Sequence, residues 1–324
     1  MVVDFQHHYT PPELVGLDVV KAMSINTRGA TPPYRMPPAL TDLETHLRDM
    51  DASGIDHAVL SCGLGMDGTT VEICRLVNAA MAKAVAQAPR RISSLAHTVP
   101  LGGKDALAEL ARCKDEYGFP GVVIVSEPDG LPLDAPRLDP FWRECERLDL
   151  YVFVHPALRP DVGRMMDKYD LVRSLGREYS MSTATVRLIN GGVLDRYPAL
   201  RIQMAHLAGG LAMAMDRVRA LQDKERLGTS GDPLHGILPE REFDYYLRER
   251  IVFDTAGIFG SIPAVQAAIR EFSAERLVLG TDYPLEIRDA EEMAVFTTRL
   301  RTMGEDGRKV LEGNVGKLLT AEAS

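Results

Sequence analysis

Cysteine is scarce in this chain: four residues in 324, at positions 62, 74, 113 and 145, with no Cys-x-x-Cys pair. That spacing excludes a disulfide framework and a zinc ribbon. Long apolar runs are absent too, and no stretch approaches the ~20 residues that span a bilayer. The N-terminal MVVDFQHHYTPPEL has neither a basic region nor an apolar one, so no secretory signal is expected. Clusters of positive charge are missing. Lys and Arg number 37 against 46 Asp and Glu, a net charge of −9, which argues against a nucleic-acid partner. No Gly-rich phosphate loop follows the first strand-like segment, where a dinucleotide-binding sheet would carry one. What remains is the composition of a globular protein, with 45% apolar and 26% charged residues, and the expectation is a cytoplasmic enzyme.

Short apolar runs alternate with longer amphipathic ones. VVDF (2–5), HAVLSC (57–62), RISSLAHTVP (91–100), GVVIV (121–125), LYVFVH (150–155), LRIQMAH (200–206), RIVFDTA (250–256) and RLVLGTD (276–282) read as strands. Helical patterns separate them, at 42–54, 70–87, 105–118, 139–149, 161–195, 211–222 and 262–272, and two more close the chain near 289–302 and 307–319. Eight strands alternating with helices predict an α/β fold with a parallel sheet, and at this length a (β/α)8 TIM barrel. No linker divides residues 1–324, so one barrel domain is expected, with long insertions near 9–41 and 223–249.

In a parallel barrel the C-terminal strand ends meet at one mouth. There the sequence offers Gln6-His7-His8 on the first strand, His155 on the fifth, His206 on the sixth and Thr281-Asp282 on the eighth. A single histidine at a strand end is ordinarily a hydrogen-bonded loop residue, and Asp282 alone could cap a helix. Their joint placement carries the argument, because imidazole plus carboxylate is a ligand set for a divalent metal with an open position. Side chains alternate along a strand, so Gln6 and His8 share one face and His7 takes the other; a one-residue shift would exchange them. His46, His57, His97, Trp142, Met204, Met213 and Met215 read as packing residues, and Asp254 as either an orienting group or a cap.

Six segments in order resemble the amidohydrolase superfamily, in the branch of metal-dependent decarboxylases related to aminocarboxymuconate semialdehyde decarboxylase. These are VDFQHHYTPPEL, DMDASGIDHAVLS, LDPFWRECERLDLYVFVHP, GGVLDRYPALRIQMAHLAGG, RLVLGTDYP and EGNVGKLL. The resemblance spans nearly the whole chain. It implies His8 and His155 as metal ligands, Asp282 as a ligand or proton carrier, and His206 as a base or electrostatic partner near the metal. The family's first histidine of H-x-H is Gln6 here, a neutral oxygen donor weaker than imidazole for zinc. One metal ion is expected, zinc first and manganese as the alternative, with Gln6 as a possible fourth ligand. No lysine ends the fourth strand to bridge a second metal, and Glu127 is the only stand-in. By the same resemblance a loop arginine binds a small carboxylate substrate: Arg35 first, then Arg28, with Arg159 just past His155. A homodimer is expected on the same ground.

Three functions follow. The first is decarboxylation of a small unsaturated or aromatic acid. The second is hydrolysis or hydration by the same fold and metal. The third is a metal-free barrel that only binds a ligand, for which Gln6 is the sole support.

Overall fold

A computed structural model describes residues 1–15, 17, 37–222 and 239–319. Arg28 and Arg35 of the first loop therefore lie outside the described residues.

The strands are β1 (Val3–His8), β2 (His57–Ser61), β3 (Ile92–Ser94), β4 (Ala96–His97), β5 (Gly121–Val125), β6 (Tyr151–His155), β7 (Ile202–Met204), β8 (Ile251–Asp254) and β9 (Leu277–Val278). All pair in parallel, in sheet orders β1-β2-β3 and β4-β5-β6-β7-β8-β9. Only Leu95 separates β3 from β4, and its N–H still bonds Leu60 O at 3.0 Å. This break in the third strand places His155 at the end of β6, one label later than the sequence count. The segment after β9 returns to β1: Phe5 N donates to Leu279 O at 2.8 Å, Asp282 N to Gln6 O at 2.9 Å and His8 N to Tyr283 O at 2.8 Å.

The strands are buried on both faces, as continuous β-branched runs such as GVVIV require. The connecting helices cover them with one apolar stripe each. Helix Leu43–Ser53 is typical. Asp42 caps it by accepting from Thr45 N, Gly54 ends it at φ 71°, and Leu43 and Met50 face inward. It lies against the last long helix, Ala290–Arg301, where Thr297 Oγ1 donates to Ser53 O at 3.1 Å. First and last units are thus neighbours. Each fully buried Leu, Ile or Phe of this core contributes roughly 1.5–3 kcal/mol through burial.

Three expectations need correction. The strands read at 200–206 and 276–282 stop early, at Met204 and Val278. Both continue into backbone with positive φ, at His206 (56°), Leu207 (52°), Ala208 (57°) and Asp282 (54°), which cannot join a ladder. The stretch 161–195 is mainly helical as expected, with Val172–Gly176 running straight into helix Arg177–Asn190 and Val193–Arg196 after it. The stretch near 307–319 is helical as expected, in the pieces Glu305–Arg308, Lys309–Gly313 and Val315–Lys317. Met213 points to solvent at 86% exposure, whereas Met204 and Met215 are buried.

Candidate active site

Strand β1 supplies two kinds of histidine. Gln6 and His8 face the ends of β6 and β7 and the loop after β9. His7 faces away, its Nδ1 2.8 Å from Asp4 Oδ2 and its Nε2 2.8 Å from His46 Nδ1, while His46 Nε2 donates to Ala39 O at 2.8 Å. Asp4 and His7 are three residues apart. They reach one side because the register of β1 on β2 shifts between them, as at a bulge.

On the other side, His8 Nε2 lies 2.7 Å from Asp282 Oδ1. The pair makes no hydrogen bond, and Nε2 is a buried nitrogen without a hydrogen-bond partner. The other ring nitrogen, Nδ1, is 3.1 Å from Ser61 Oγ. His155 packs edge-on against His8, with ring centroids 5.3 Å apart, and its Nδ1 donates to Pro156 O at 2.9 Å. Burial holds this imidazole well below its ordinary pKa, helped by the charges of His8 and His206. It is therefore neutral, with its Nε2 lone pair free to bind.

Gln6 completes the group. Its amide is satisfied with the nitrogen donating to Asp254 Oδ1 and Oδ2 at 3.0 and 3.2 Å and the oxygen accepting from His206 Nε2 at 3.2 Å. That end of the amide also lies 3.4 Å from Asp282 Oδ1, so its oxygen faces the same space as His8 and Asp282.

His206 sits on strained backbone that the surroundings impose. Asp254 holds it from behind, accepting its N–H at 3.1 Å, and takes Gln203 Nε2 at 2.7 Å and Ala256 N at 3.1 Å. Asp254 is thus an orienting group rather than a simple cap. Gly257, at φ 76°, leaves room for the His206 ring: a Cβ there would stand 2.1 Å from His206 Cγ. In front, His206 Nδ1 donates to Glu178 Oε1 at 2.8 Å. Burial opposes the charge on His206, but Glu178, Glu286 and Asp282 outweigh it and push the imidazole up to about 10. Asp282 is held below the ordinary carboxylate range: burial works against ionisation and is outweighed by His8, His206 and His155. Burial and the neighbouring Asp282 push Glu286 up to about 8. Burial pushes Asp254 up to about 6.

The residues fit a divalent cation. A histidine nitrogen and a carboxylate oxygen face each other at 2.7 Å without a hydrogen bond, and the oxygen end of the Gln6 amide lies 3.4 Å from the same carboxylate. Asp254, Asp282 and Glu178 crowd acidic charge that a cation would relieve. Among the described residues His8 and His155 do not join Asp282 in a group of three His, Cys, Asp or Glu side chains whose donor atoms all lie within 4.8 Å of one another, and the group that does so is His206, Asp282 and Glu286. It is the weaker donor set, because both His206 nitrogens are engaged with acceptors and a protonated imidazole does not ligate.

Glu178, Glu286, Arg177 and Gln203 were not evident from the sequence. Glu178 and Arg177 begin a helix 22 or more residues past β6, and no spacing rule reaches them. Glu286 follows Asp282 by four residues and was open to notice as an acid beside the strand end. Arg159 is exposed, and Glu127 is occupied by Asp161 N at 2.9 Å. His97 is a packing residue: its Nε2 accepts from Cys62 N at 2.9 Å, and burial pushes it down to about 3.

Residues 3–319 match the family model described as amidohydrolase. The chain belongs to the amidohydrolase family. This amidohydrolase is 30% identical over 259 residues to gamma-resorcylate decarboxylase of Rhizobium sp. (strain MTP-10005), covering 75% of this chain and 77% of that one. It is 26% identical over 253 residues to 2-amino-3-carboxymuconate-6-semialdehyde decarboxylase of Dictyostelium discoideum, covering 76% and 67%. Among solved structures it resembles 5-carboxyvanillate decarboxylase of Novosphingobium aromaticivorans, complexed with manganese and a nitrobenzoic acid. There the identity is 22%, the TM-score 0.81 and the coverage 98% of this chain and 95% of the other. The resemblance read from the motifs is the family that the comparison finds.

Proposed function

We propose that this amidohydrolase is a metal-dependent decarboxylase of a small aromatic carboxylic acid. The observation that carries the reading is the pair His8 Nε2–Asp282 Oδ1, buried at 2.7 Å without a hydrogen bond, on a chain whose relatives include gamma-resorcylate decarboxylase. The strands close into an eight-stranded barrel, a single domain. The β1 bonds to Leu279, Gln6–Asp282 and Tyr283 support that closure, with β3 and β4 counted as one strand and the site at the C-terminal mouth.

His8, His155 and Asp282 would hold the metal, with the Gln6 oxygen as the fourth donor. When bound, the metal supplies Lewis acidity toward a substrate oxygen. A neutral amide oxygen beside two imidazoles and a carboxylate relaxes the preference for zinc and admits manganese. The manganese in the 5-carboxyvanillate decarboxylase structure supports the same latitude.

The remaining chemistry belongs to the protein's own side chains. As the bond from ring carbon to carboxylate breaks, its electron pair stays on the ring carbon, which must then gain a proton while carbon dioxide leaves. Asp282 is held ionised and His206 is held charged, so of the two His206 carries the transferable proton. Asp254 and Gly257 fix the ring, and Glu178 fixes its protonation. Hydrolysis or hydration uses the same groups, but the named relatives favour the lyase. Arg35 stands as a candidate substrate-binding residue on the resemblance alone.

A cytoplasmic homodimer goes with this reading. Among the described residues no helix is long and apolar enough to cross a membrane. Large apolar side chains, Met165, Tyr169 and Phe259, stand exposed on the loops after β6 and β8, which supports a partner surface there.

The test is carbon dioxide release from gamma-resorcylate and 5-carboxyvanillate by protein refilled with zinc or with manganese. Release that is lost on chelation and restored by one metal per chain is expected. No bound metal and no release from any aromatic acid sinks the reading.

A further inference from the structure

An aromatic acid brings a negative charge to a site already lined by Asp282, Asp254, Glu178 and Glu286. Something cationic besides the metal must face it. Arg177 opens helix Arg177–Asn190, one residue before the Glu178 that holds His206. The side chain is half-buried with its Nε enclosed, and its charge acts on His155, Asp282, Asp170 and Glu178. Yet among the described residues it pairs with no carboxylate. Its one hydrogen bond among the described residues runs from Nη2 to Leu158 O at a long 3.4 Å, and there its Nε is buried without a partner. An enclosed guanidinium nitrogen left unpartnered is costly unless an anion completes it. The planar fork of arginine matches a carboxylate.

We propose that Arg177 anchors the anionic group of the substrate. The inference rests on the decarboxylase reading for the identity of the anion, but not for the existence of the anion site. As neutral carbon dioxide forms, the negative charge passes from the carboxylate held by Arg177 to the ring carbon, so the contact belongs to the bound substrate more than to the developing ring carbanion. Removing it raises KM and leaves kcat nearly alone.

The experiment uses the full, metal-loaded chain and four probes. Gamma-resorcylate and 5-carboxyvanillate carry carboxylate; resorcinol and guaiacol are the same rings without any carboxylate. Calorimetric binding is measured for wild type, R177M and R177K. The expected result is that R177M binds gamma-resorcylate or 5-carboxyvanillate roughly 10- to 100-fold more weakly, the scale of a charged hydrogen bond. Its affinity for resorcinol is unchanged, R177K recovers much of the loss, and metal content and Tm match wild type. Equal weakening of a carboxylated ring and its counterpart, unchanged affinity in R177M, or a wild type that binds neither acid each overturns the proposal. A structural role through Leu158 would instead lower the Tm of R177M and R177K together. The two readings fail separately. Arg177-dependent binding without carbon dioxide release leaves the anion site standing and sinks the decarboxylase. Release by R177M at wild-type KM does the reverse.

Discussion

Two histidine–aspartate pairs sit on the first strand and its neighbour, one on each side. His7 and Asp4 approach to 2.8 Å, His8 and Asp282 to 2.7 Å, and all four side chains are buried. By residue type, distance and burial the pairs are nearly the same. They differ in what is left over. Asp4 also accepts from Thr281 N at 3.0 Å and Thr281 Oγ1 at 2.5 Å, and His7 passes its second nitrogen to His46, which ends on Ala39 O. Every atom on that side is used, and the network ties β1 to the segment after β9. On the other side His8 Nε2 has no hydrogen-bond partner, His155 has a free lone pair and Arg177 an unpartnered Nε. A complete network holds a fold together; an incomplete one of the same residues waits for a ligand.

The sharpest way to break this contrast is to delete a histidine from each side. H8A or H155A is expected to lower kcat about a thousandfold or more and to strip the metal, with little change in the unfolding midpoint of the metal-free protein. Kinetics, elemental analysis and urea unfolding decide it. H7A leaves Asp4 buried and unpaired, which costs about 3–5 kcal/mol of stability. The fraction that stays folded should turn over within a few-fold of wild type. A well-folded H7A as inactive as H8A would erase the distinction.

Glu178 sharpens the comparison, because it is the acid that completes a histidine on the functional side. E178Q is expected to lower turnover roughly 10- to 100-fold, the usual cost of losing an orienting carboxylate. It also shifts the alkaline limb of the rate profile to lower pH. In the metal-free protein the sign follows from His206, raised from 6.5 to about 10 by Glu178, Glu286 and Asp282 against burial. A group raised in the folded state stabilises it fully below pH 6.5 and loses that contribution as pH rises through about 10. The Tm deficit of E178Q should therefore be widest near pH 6 and close toward pH 10. A deficit that widens with pH would contradict the assignment.

The smallest effect is expected at Gln6. Q6H restores an imidazole donor and should favour zinc over manganese by about tenfold, read by competition between the two metals. An unchanged preference would place Gln6 outside the ligand set and leave it as the link between Asp254 and His206.

Much of this protein was legible before any coordinates. Period-two and continuous apolar runs named all the strands, and parity along β1 paired Gln6 with His8 and set His7 apart. Asp254 was left between two roles, which its bonds to His206 N and Gln203 decide. Strand ends were misread where the chain turns to positive φ at His206 and Asp282, because apolar pattern carries no sign of backbone strain.

The sequence by itself determined the alternation of strand and helix, the order of the motifs and the residues His8, His155, His206 and Asp282 at the strand ends. These are local properties: side-chain period and chemical type are written residue by residue. Only the tertiary structure decided which of the buried histidines are satisfied, that Glu178 rather than a strand residue charges His206, and that Arg177 faces the site without an anion. Those facts depend on atoms brought together from positions as far apart as 6, 178 and 282. A hydrogen bond that is missing has no signature in sequence; it is visible only once every possible partner has been placed.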